Sequence, residues 1–300
     1  MDKYHTPVLL DECIEGLAIR PQGTYVDVTF GGGGHSREIL KHLDSYGKLL
    51  AFDQDADARQ NLIDDKRFVF IDQNFRYLKN FCRLHHAIPV DGILADLGVS
   101  SYQFDQAERG FSIRFDAELD MRMNRYSALS AKEVINNYTE AELHRIFGIY
   151  GGIQNAKSLA NTIVMARLNA PIITVTNLKN AIVNRIPKGK ENKYLAQVFQ
   201  ALRIEVNQEL EALKDFLIQS AEVLVSGGRL VVMSYHSLED RLVKNFIAKG
   251  KFSGEVEKDL YGNDNKPFDA VSRGAITASE DEIKNNNRAR SAKLRIAIKR

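Results

Sequence analysis

Short apolar runs alternate with amphipathic stretches over the first hundred residues. Tyr25–Val28, Leu49–Phe52, Phe68–Ile71 and Gly92–Ala95 have the length and the aliphatic or aromatic content of buried strands. Ser36–Leu43 and Ala56–Ile63, which lie between them, carry apolar residues at helical spacing. Strands that alternate with helices predict a parallel sheet with right-handed crossovers, an α/β doubly wound fold.

The pattern changes after Gln103. Between Ser127 and about Asn192 the one strand-like run is Ile172-Ile173-Thr174-Val175. Helix starts take its place. Ser130 is followed by Glu133, and Thr139 by Glu142, at the spacing of a capping box. Asn155–Leu168 and Asn177–Ile186 are amphipathic at helical period. This predicts a helical insertion over residues 121–199, within a larger domain made of 1–120 and 200–300. The strand–helix alternation then returns. Leu195–Val225 is helical with a break near Val206-Asn207. Gly227-Gly228 turns into a strand over Arg229–Ser234, and Leu294–Ile298 makes a last strand. The polar stretch Phe252–Asn287, rich in Gly, Asn, Asp and Lys, predicts mostly loop.

At 300 residues and 44% hydrophobic content, the chain can bury one large core or two smaller ones. A net charge of +2 gives no bulk signal of a nucleic-acid binder, so any basic surface is local. Two basic clusters stand out: Lys179, Arg185, Lys188, Lys190 and Lys193 in the insertion, and Arg288, Arg290, Lys293 and Arg295 near the carboxyl end. Spacing alone fits a phosphate-contacting surface and a solvated face equally. Cys13 and Cys82 form no CxxC and no metal-ligand spacing, so a reduced, cytoplasmic compartment and no metal are expected. No signal-peptide layout and no apolar run long enough for a bilayer is present, so no membrane partner is expected.

The chemistry gathers at strand ends. Tyr25-Val26-Asp27-Val28 runs into Gly31-Gly32-Gly33-Gly34-His35, and a helix starts at Ser36. Glycines between strand and helix let a ligand approach the backbone. Asp53 closes the second strand, where a ribose hydroxyl would need an acceptor. Asp96 closes the fourth strand, ahead of the small-residue loop Leu97–Ser101, and faces the crevice where open α/β sheets bind ligands. Asp27 can accept from an ammonium or hold the loop. His236, in Ser234-Tyr235-His236-Ser237, is a candidate for proton transfer or RNA contact. Ser237 is expected to cap the next helix, with Asp240 at the capping-box position. Neither cysteine lies in a strand-end loop, which disfavours methylation of a ring carbon, because that chemistry needs a thiolate to add first.

The motifs also match a known pattern. Thr29–Ser36, Asp96–Ser101, Glu108–Ser112, Leu119–Met123, Phe199–Ile204, His236–Arg241, Arg288–Ser291 and the amino-terminal His5–Leu10 follow in order along the whole chain. Together they resemble the bacterial ribosomal RNA small subunit methyltransferase H family, also called MraW. The resemblance implies a class I S-adenosylmethionine-dependent methyltransferase fold, Rossmann-like, with an inserted RNA-recognition domain. It implies methylation of N4 of one cytidine in the P-site region of 16S rRNA, with the small ribosomal subunit as partner. Carried over by motif, the cofactor-binding residues are Gly33, Gly34, His35, Asp53, Phe75, Asp96 and Gln103. Asp96 and His236 are the catalytic candidates. Gly32 and Tyr102 depart from the usual Arg-like and Pro residues, and Asn287 precedes Arg288 where Pro is usual; none removes a cofactor group. Three rivals remain: a DNA amino-methyltransferase, a nicotinamide-dependent oxidoreductase, and a non-catalytic RNA-binding or assembly factor. A homodimer also stays open.

Overall fold

The computed structural model describes residues 7–300, so His5 and Thr6 of the amino-terminal motif lie outside the described residues. From the amino end, α1 (Leu10–Leu17) precedes β1 (Thr24–Asp27), and α2 (Gly34–His42) precedes β2 (Lys48–Phe52). A 3-10 turn over Ala56–Asn61 leads to β3 (Phe68–Ile71). The short 3-10 turn Phe75–Tyr77 and α3 (Leu78–Leu84) lead to β4 (Val90–Asp96). Six helices follow: α4 (Ser101–Asp105), α5 (Ala131–Asn137), α6 (Glu140–Ile149), α7 (Ala156–Arg167), α8 (Val175–Ile182) and α9 (Glu191–Asn207). The chain ends with α10 (Glu209–Val223), β5 (Leu224–Ser234), α11 (Ser237–Lys249), β6 (Phe268–Ala270), α12 (Glu280–Asn285) and β7 (Lys293–Lys299).

By contacts the chain divides into two compact units, residues 1–98 with 210–300, and residues 99–209. The helical insertion expected at 121–199 falls inside the second unit. In the first unit, seven strands form one sheet in the order β3-β2-β1-β4-β5-β7-β6. The first five are parallel, and β7 runs antiparallel to both β5 and β6. That is the class I methyltransferase arrangement of a Rossmann-like sheet.

Both sheet faces are buried, which is why the strands read as continuous apolar runs rather than alternating ones. Val26, Leu50, Phe52, Ile93, Leu230 and Val232 point to one face and meet Leu78, Phe216 and Phe246 of α3, α10 and α11. Tyr25, Leu49, Leu94, Val231 and Met233 point to the other and meet Cys13 and Leu17 of α1 and Ile39 of α2. Gly92 is required by this packing, because a Cβ there would stand 2.8 Å from the Tyr25 ring. The second unit has its own core around Leu143, Phe147, Leu159, Ile163, Val198 and Leu202.

Several expectations need correction. Ile172–Val175 is no strand: Thr174 makes a single bridge to Glu118, and its hydroxyl caps α8 by accepting from Asn177 N. Its β-branched residues imitate a strand while Thr174 supplies a cap. The long helix breaks at Gln208, which is left-handed (φ 49°), one residue beyond the expected Val206-Asn207. The stretch 252–287 is mostly loop, as expected, and holds in addition β6 and α12, of which Glu282 accepts from Leu9 N at 2.8 Å. β5 begins at Leu224, so Gly227-Gly228 sits inside it. Over Ala56–Ile63 the chain forms a 3-10 turn at Ala56–Asn61 rather than an α-helix, and Asn177–Ile186 belongs to α8 and a 3-10 turn after it.

Candidate active site

Three neighbouring parallel strands reach their carboxyl ends at aspartates. Asp27 closes β1, Asp53 follows β2 and Asp96 closes β4. The strand order turns back between β1 and β4, the place where such sheets leave a crevice.

Asp27 is a brace. Its Oδ1 accepts from Thr29 N at 3.0 Å and its Oδ2 from Ser36 Oγ at 2.7 Å, so both oxygens hold the glycine turn. Burial raises its pKa against those bonds. The turn is held from outside as well: Arg37 Nη1 donates to the Gly32 carbonyl at 2.6 Å and Asn61 Nδ2 to the Gly31 carbonyl at 3.0 Å. Gly33 needs to be glycine, with φ 74° and only 2.9 Å between a would-be Cβ and the Phe30 ring. Gly34 opens α2 against Pro7, and among the described residues no side chain caps that helix.

Asp53 accepts twice, from Gly31 N and from Asp55 N, each at 2.8 Å. Burial still lifts its pKa to about 7, although one side of the residue stays open. The neighbouring Gln54 takes a 2.8 Å bond from Asn74 Nδ2, which ties the end of β2 to the turn after β3. Phe75 stands in that turn, half-buried, edge-on to Phe216 at 5.6 Å.

Asp96 is held by two hydroxyls. Its N–H donates to Thr29 Oγ1 at 2.7 Å, and its Oδ1 accepts from Tyr235 O–H at 2.8 Å. Among the described residues its Oδ2 takes no hydrogen bond. Burial pushes its pKa up to about 6, with His35 and the Tyr235 bond pulling the other way. His35 bonds to the Val8 backbone, and its Nε2 is buried without a partner among the described residues. Burial lowers the His35 pKa, so the imidazole is neutral at pH 7. No Lys or Arg among the described residues pairs with Asp27, Asp53 or Asp96.

His236, rather than Ser237, is the cap of α11: its Nδ1 accepts from Glu239 N at 3.4 Å. Asp240 is no capping-box partner, because Arg295 Nε holds it at 2.7 Å and Lys293 Nζ at 3.4 Å. Those two basic residues therefore stabilise the strand end; Lys293 is exposed, whereas the Arg295 side chain is largely buried. The His236 Nε2 lies 3.2 Å from Glu239 Oε1, unaligned for a hydrogen bond. Gln103 belongs to the second unit, where it completes a capping box with Ser100 (Gln103 N to Ser100 Oγ 3.1 Å; Ser100 N to Gln103 Oε1 3.0 Å). Sequence reasoning missed Thr29 as the support of Asp96 and Tyr235 as its hydroxyl partner. The signal was present for Thr29, which opens the glycine motif. It was absent for Tyr235, which is 139 positions from Asp96.

The model of the MraW methylase family matches residues 2–300. The chain belongs to the MraW methylase family. Its relatives include the ribosomal RNA small subunit methyltransferase H of Cytophaga hutchinsonii, 61% identical over 98% of this chain and 99% of that one. The protein of the same name from Christiangramia forsetii is 59% identical over 99% of this chain and 98% of that one. Among solved structures, an rRNA methylase from Streptococcus thermophilus aligns over 97% of this chain and 93% of that one, at 12% identity and TM-score 0.42.

The chain is thus a methylase of a family whose cofactor is S-adenosyl-L-methionine. The first unit fits that cofactor on its own residues. Half-buried Asp53 and Asp96, with no Lys or Arg partner among the described residues, suit its ribose hydroxyls and ammonium. The start of α2, uncapped among the described residues, suits its carboxylate, and Phe75 offers an aromatic face. Among the described residues no helix is long and apolar enough to cross a membrane.

Proposed function

We propose that this chain methylates the exocyclic N4 amine of one cytidine in the P-site region of 16S rRNA, on the small ribosomal subunit. The observation that carries the choice of atom is the pairing of Asp96 with Tyr235 at the crevice, in a chain without a reactive thiol. Burial drives the Cys13 thiol well above its ordinary range and the Cys82 thiol to about 12. Neither can supply the thiolate that ring-carbon methylation requires, whereas an amine needs only placement and an acceptor.

S-adenosylmethionine, when bound, supplies a methyl carbon made electrophilic by its sulfonium. Asp53 would accept from the ribose hydroxyls, Phe75 flank the adenine, and the Gly33-Gly34 backbone with His35 hold the methionine end. Gln103 would support the loop after β4. The Asp96 Oδ2 accepts a hydrogen from N4, which draws the nitrogen lone pair out of conjugation with the ring. With the methyl group supplied by the cofactor, Asp96 would take the proton that N4 gives up. A carboxylate of pKa about 6 is ionised at pH 7 yet basic enough for an acidic aminium proton. Tyr235 fixes the carboxylate. His236, committed to the start of α11, acts by positioning Tyr235 rather than by moving a proton. The target base is presented unstacked. Residues 121–199, with Lys179, Arg185, Lys188, Lys190 and Lys193, serve as the RNA-recognition domain, and Arg288 and Arg290 add phosphate contacts.

Mass-spectrometric nucleoside analysis of 16S rRNA from cells with and without the protein tests this reading. N4-methylcytidine should vanish without it and return with the wild type, but not with Asp53→Ala or Asp96→Asn. Unchanged N4-methylcytidine would remove the assigned acceptor. Full restoration by Asp96→Asn would remove the role of Asp96.

A further inference from the structure

The sheet edge opposite the three aspartates carries a second concentration of polar chemistry. β7 pairs Lys293 with Ser234 and Ile298 with Arg229, so its last residues lie beside the amino-terminal part of β5. β6 pairs Phe268 with Lys299, and α11 ends alongside at Gly250, packed on Pro267. Arg229 to Ser234 along β5 spans roughly 17 Å, so this edge is well removed from Asp96.

A polar hollow of about 400 Å³ opens here, lined by Lys249, Lys251, Lys266, Lys299 and Arg300, with Glu257 as the carboxylate. Lys251 meets Glu257 at 3.1 Å, while Lys266 and Arg300 share Asp269 at 3.2 and 2.8 Å. Among the described residues Lys249 and Lys299 face no carboxylate: Lys249 Nζ bonds to the Gly254 carbonyl, and Lys299 Nζ lies 5.9 Å over the Phe268 ring. The hollow therefore has an excess of positive charge.

A hairpin rises from its rim. Asn265 N bonds to the Glu257 carbonyl at 2.7 Å, and Lys258 bridges Asp264. At the tip, Asp259 Oδ1 accepts from Tyr261 N at 2.8 Å and from Asn263 N at 2.9 Å, so the turn is built by its own polar groups. Leu260 is wholly exposed and Tyr261 is 90% exposed. Among the described residues neither side chain has a bonding partner.

We propose that this edge is a second RNA-contact surface, in which Tyr261 stacks on an unpaired base while Lys249, Lys299 and Arg300 contact phosphates of the same strand. The inference rests on the reading of ribosomal RNA as substrate. An aromatic plate beside a cationic groove is how single strands are held without sequence readout. A flat anionic bilayer fits less well, because the cations line a concavity and the carboxylates of Asp259 and Asp264 stand on the projecting hairpin.

The test measures equilibrium binding of the full chain to small ribosomal subunits from cells lacking it, at several salt concentrations. Methyl transfer and S-adenosylmethionine affinity are followed in parallel. Tyr261→Ala should weaken subunit binding about five- to tenfold, and Tyr261→Phe should restore it. The pair Lys249→Gln and Lys299→Gln should reduce the slope of log affinity against log salt by about 1.4. Cofactor affinity should be unchanged in all of them. Wild-type affinity and slope in every variant would overturn the inference while leaving methyl transfer standing. Loss of binding in the variants, with no methyl transfer by the wild type, would keep the surface and overturn the substrate reading. Phosphatidylglycerol vesicles that bind the wild type and are lost by the same substitutions, with subunit binding intact, would assign the edge to a membrane instead.

Discussion

Asp53 shows how one residue can be costly to the empty fold and useful to the bound one. Its two backbone bonds favour the carboxylate, but burial outweighs them and lifts the pKa to about 7. The ionised form is the better acceptor for a ribose hydroxyl, so binding should release a proton around neutral pH. If the ionised form alone binds, affinity for S-adenosylhomocysteine should fall about tenfold between pH 8 and pH 6, since one unit below the pKa leaves about a tenth of the sites ionised. Calorimetric titration at the two pH values, repeated in buffers of different ionisation enthalpy, reads both the affinity and the proton count. Asp53→Asn should bind more weakly throughout and lose most of the pH dependence. A wild-type affinity that stays flat from pH 6 to 8 would show that Asp53 does not face the ligand.

At the scale of elements, the second unit depends on caps. Ser130–Glu133, Thr139–Glu142 and Thr174–Asn177 each close a capping box at the head of α5, α6 and α8. Thr139→Ala removes the hydroxyl that accepts from Glu142 N, and should cost about 1 kcal/mol in urea unfolding. Two of these caps were legible, because Ser or Thr three residues before Glu is a local signal. Ser279 and Glu282 have the same spacing and do head α12, yet that helix has only six residues within a polar stretch, so no apolar period announced it. β6 was invisible for a related reason: two of its three residues are exposed on an edge, and only pairing with β7 makes it a strand. The central strands could be read because burial on both faces leaves unbroken apolar runs. The aspartates could be read because each ends such a run. Their partners could not, since the Tyr235–Asp96 bond exists only once β4 and β5 lie side by side.

At the scale of the whole molecule, the first unit assembles three carboxylates whose pKa values are all raised by burial. Between the ordinary carboxylate range and about 7, the native state binds more protons than the unfolded chain, so these groups make stability fall as pH rises through that window. Asp65, held near 2 by Arg67, works in the opposite sense, but its contribution is complete by about pH 5. His35, with a lowered pKa, also opposes the trend, since the unfolded chain takes up the extra proton below its ordinary value. A substitution separates these terms. Asp53→Asn should exceed the wild type in unliganded stability at both pH 5 and pH 8, and by more at pH 8, because the penalty builds up from the ordinary carboxylate range to about 7. The cofactor should reverse the order. Its cationic and hydroxyl groups stabilise the ionised carboxylates, so the rise in Tm that S-adenosylhomocysteine gives should be larger for the wild type at pH 8 than at pH 5, and smaller for the variant at both. Urea unfolding without ligand and thermal unfolding with it, at the two pH values, check each limb. If Asp53→Asn were no more stable than the wild type at pH 8, the ionised carboxylate would not be a strain on the empty fold, and the ligand would have none to relieve.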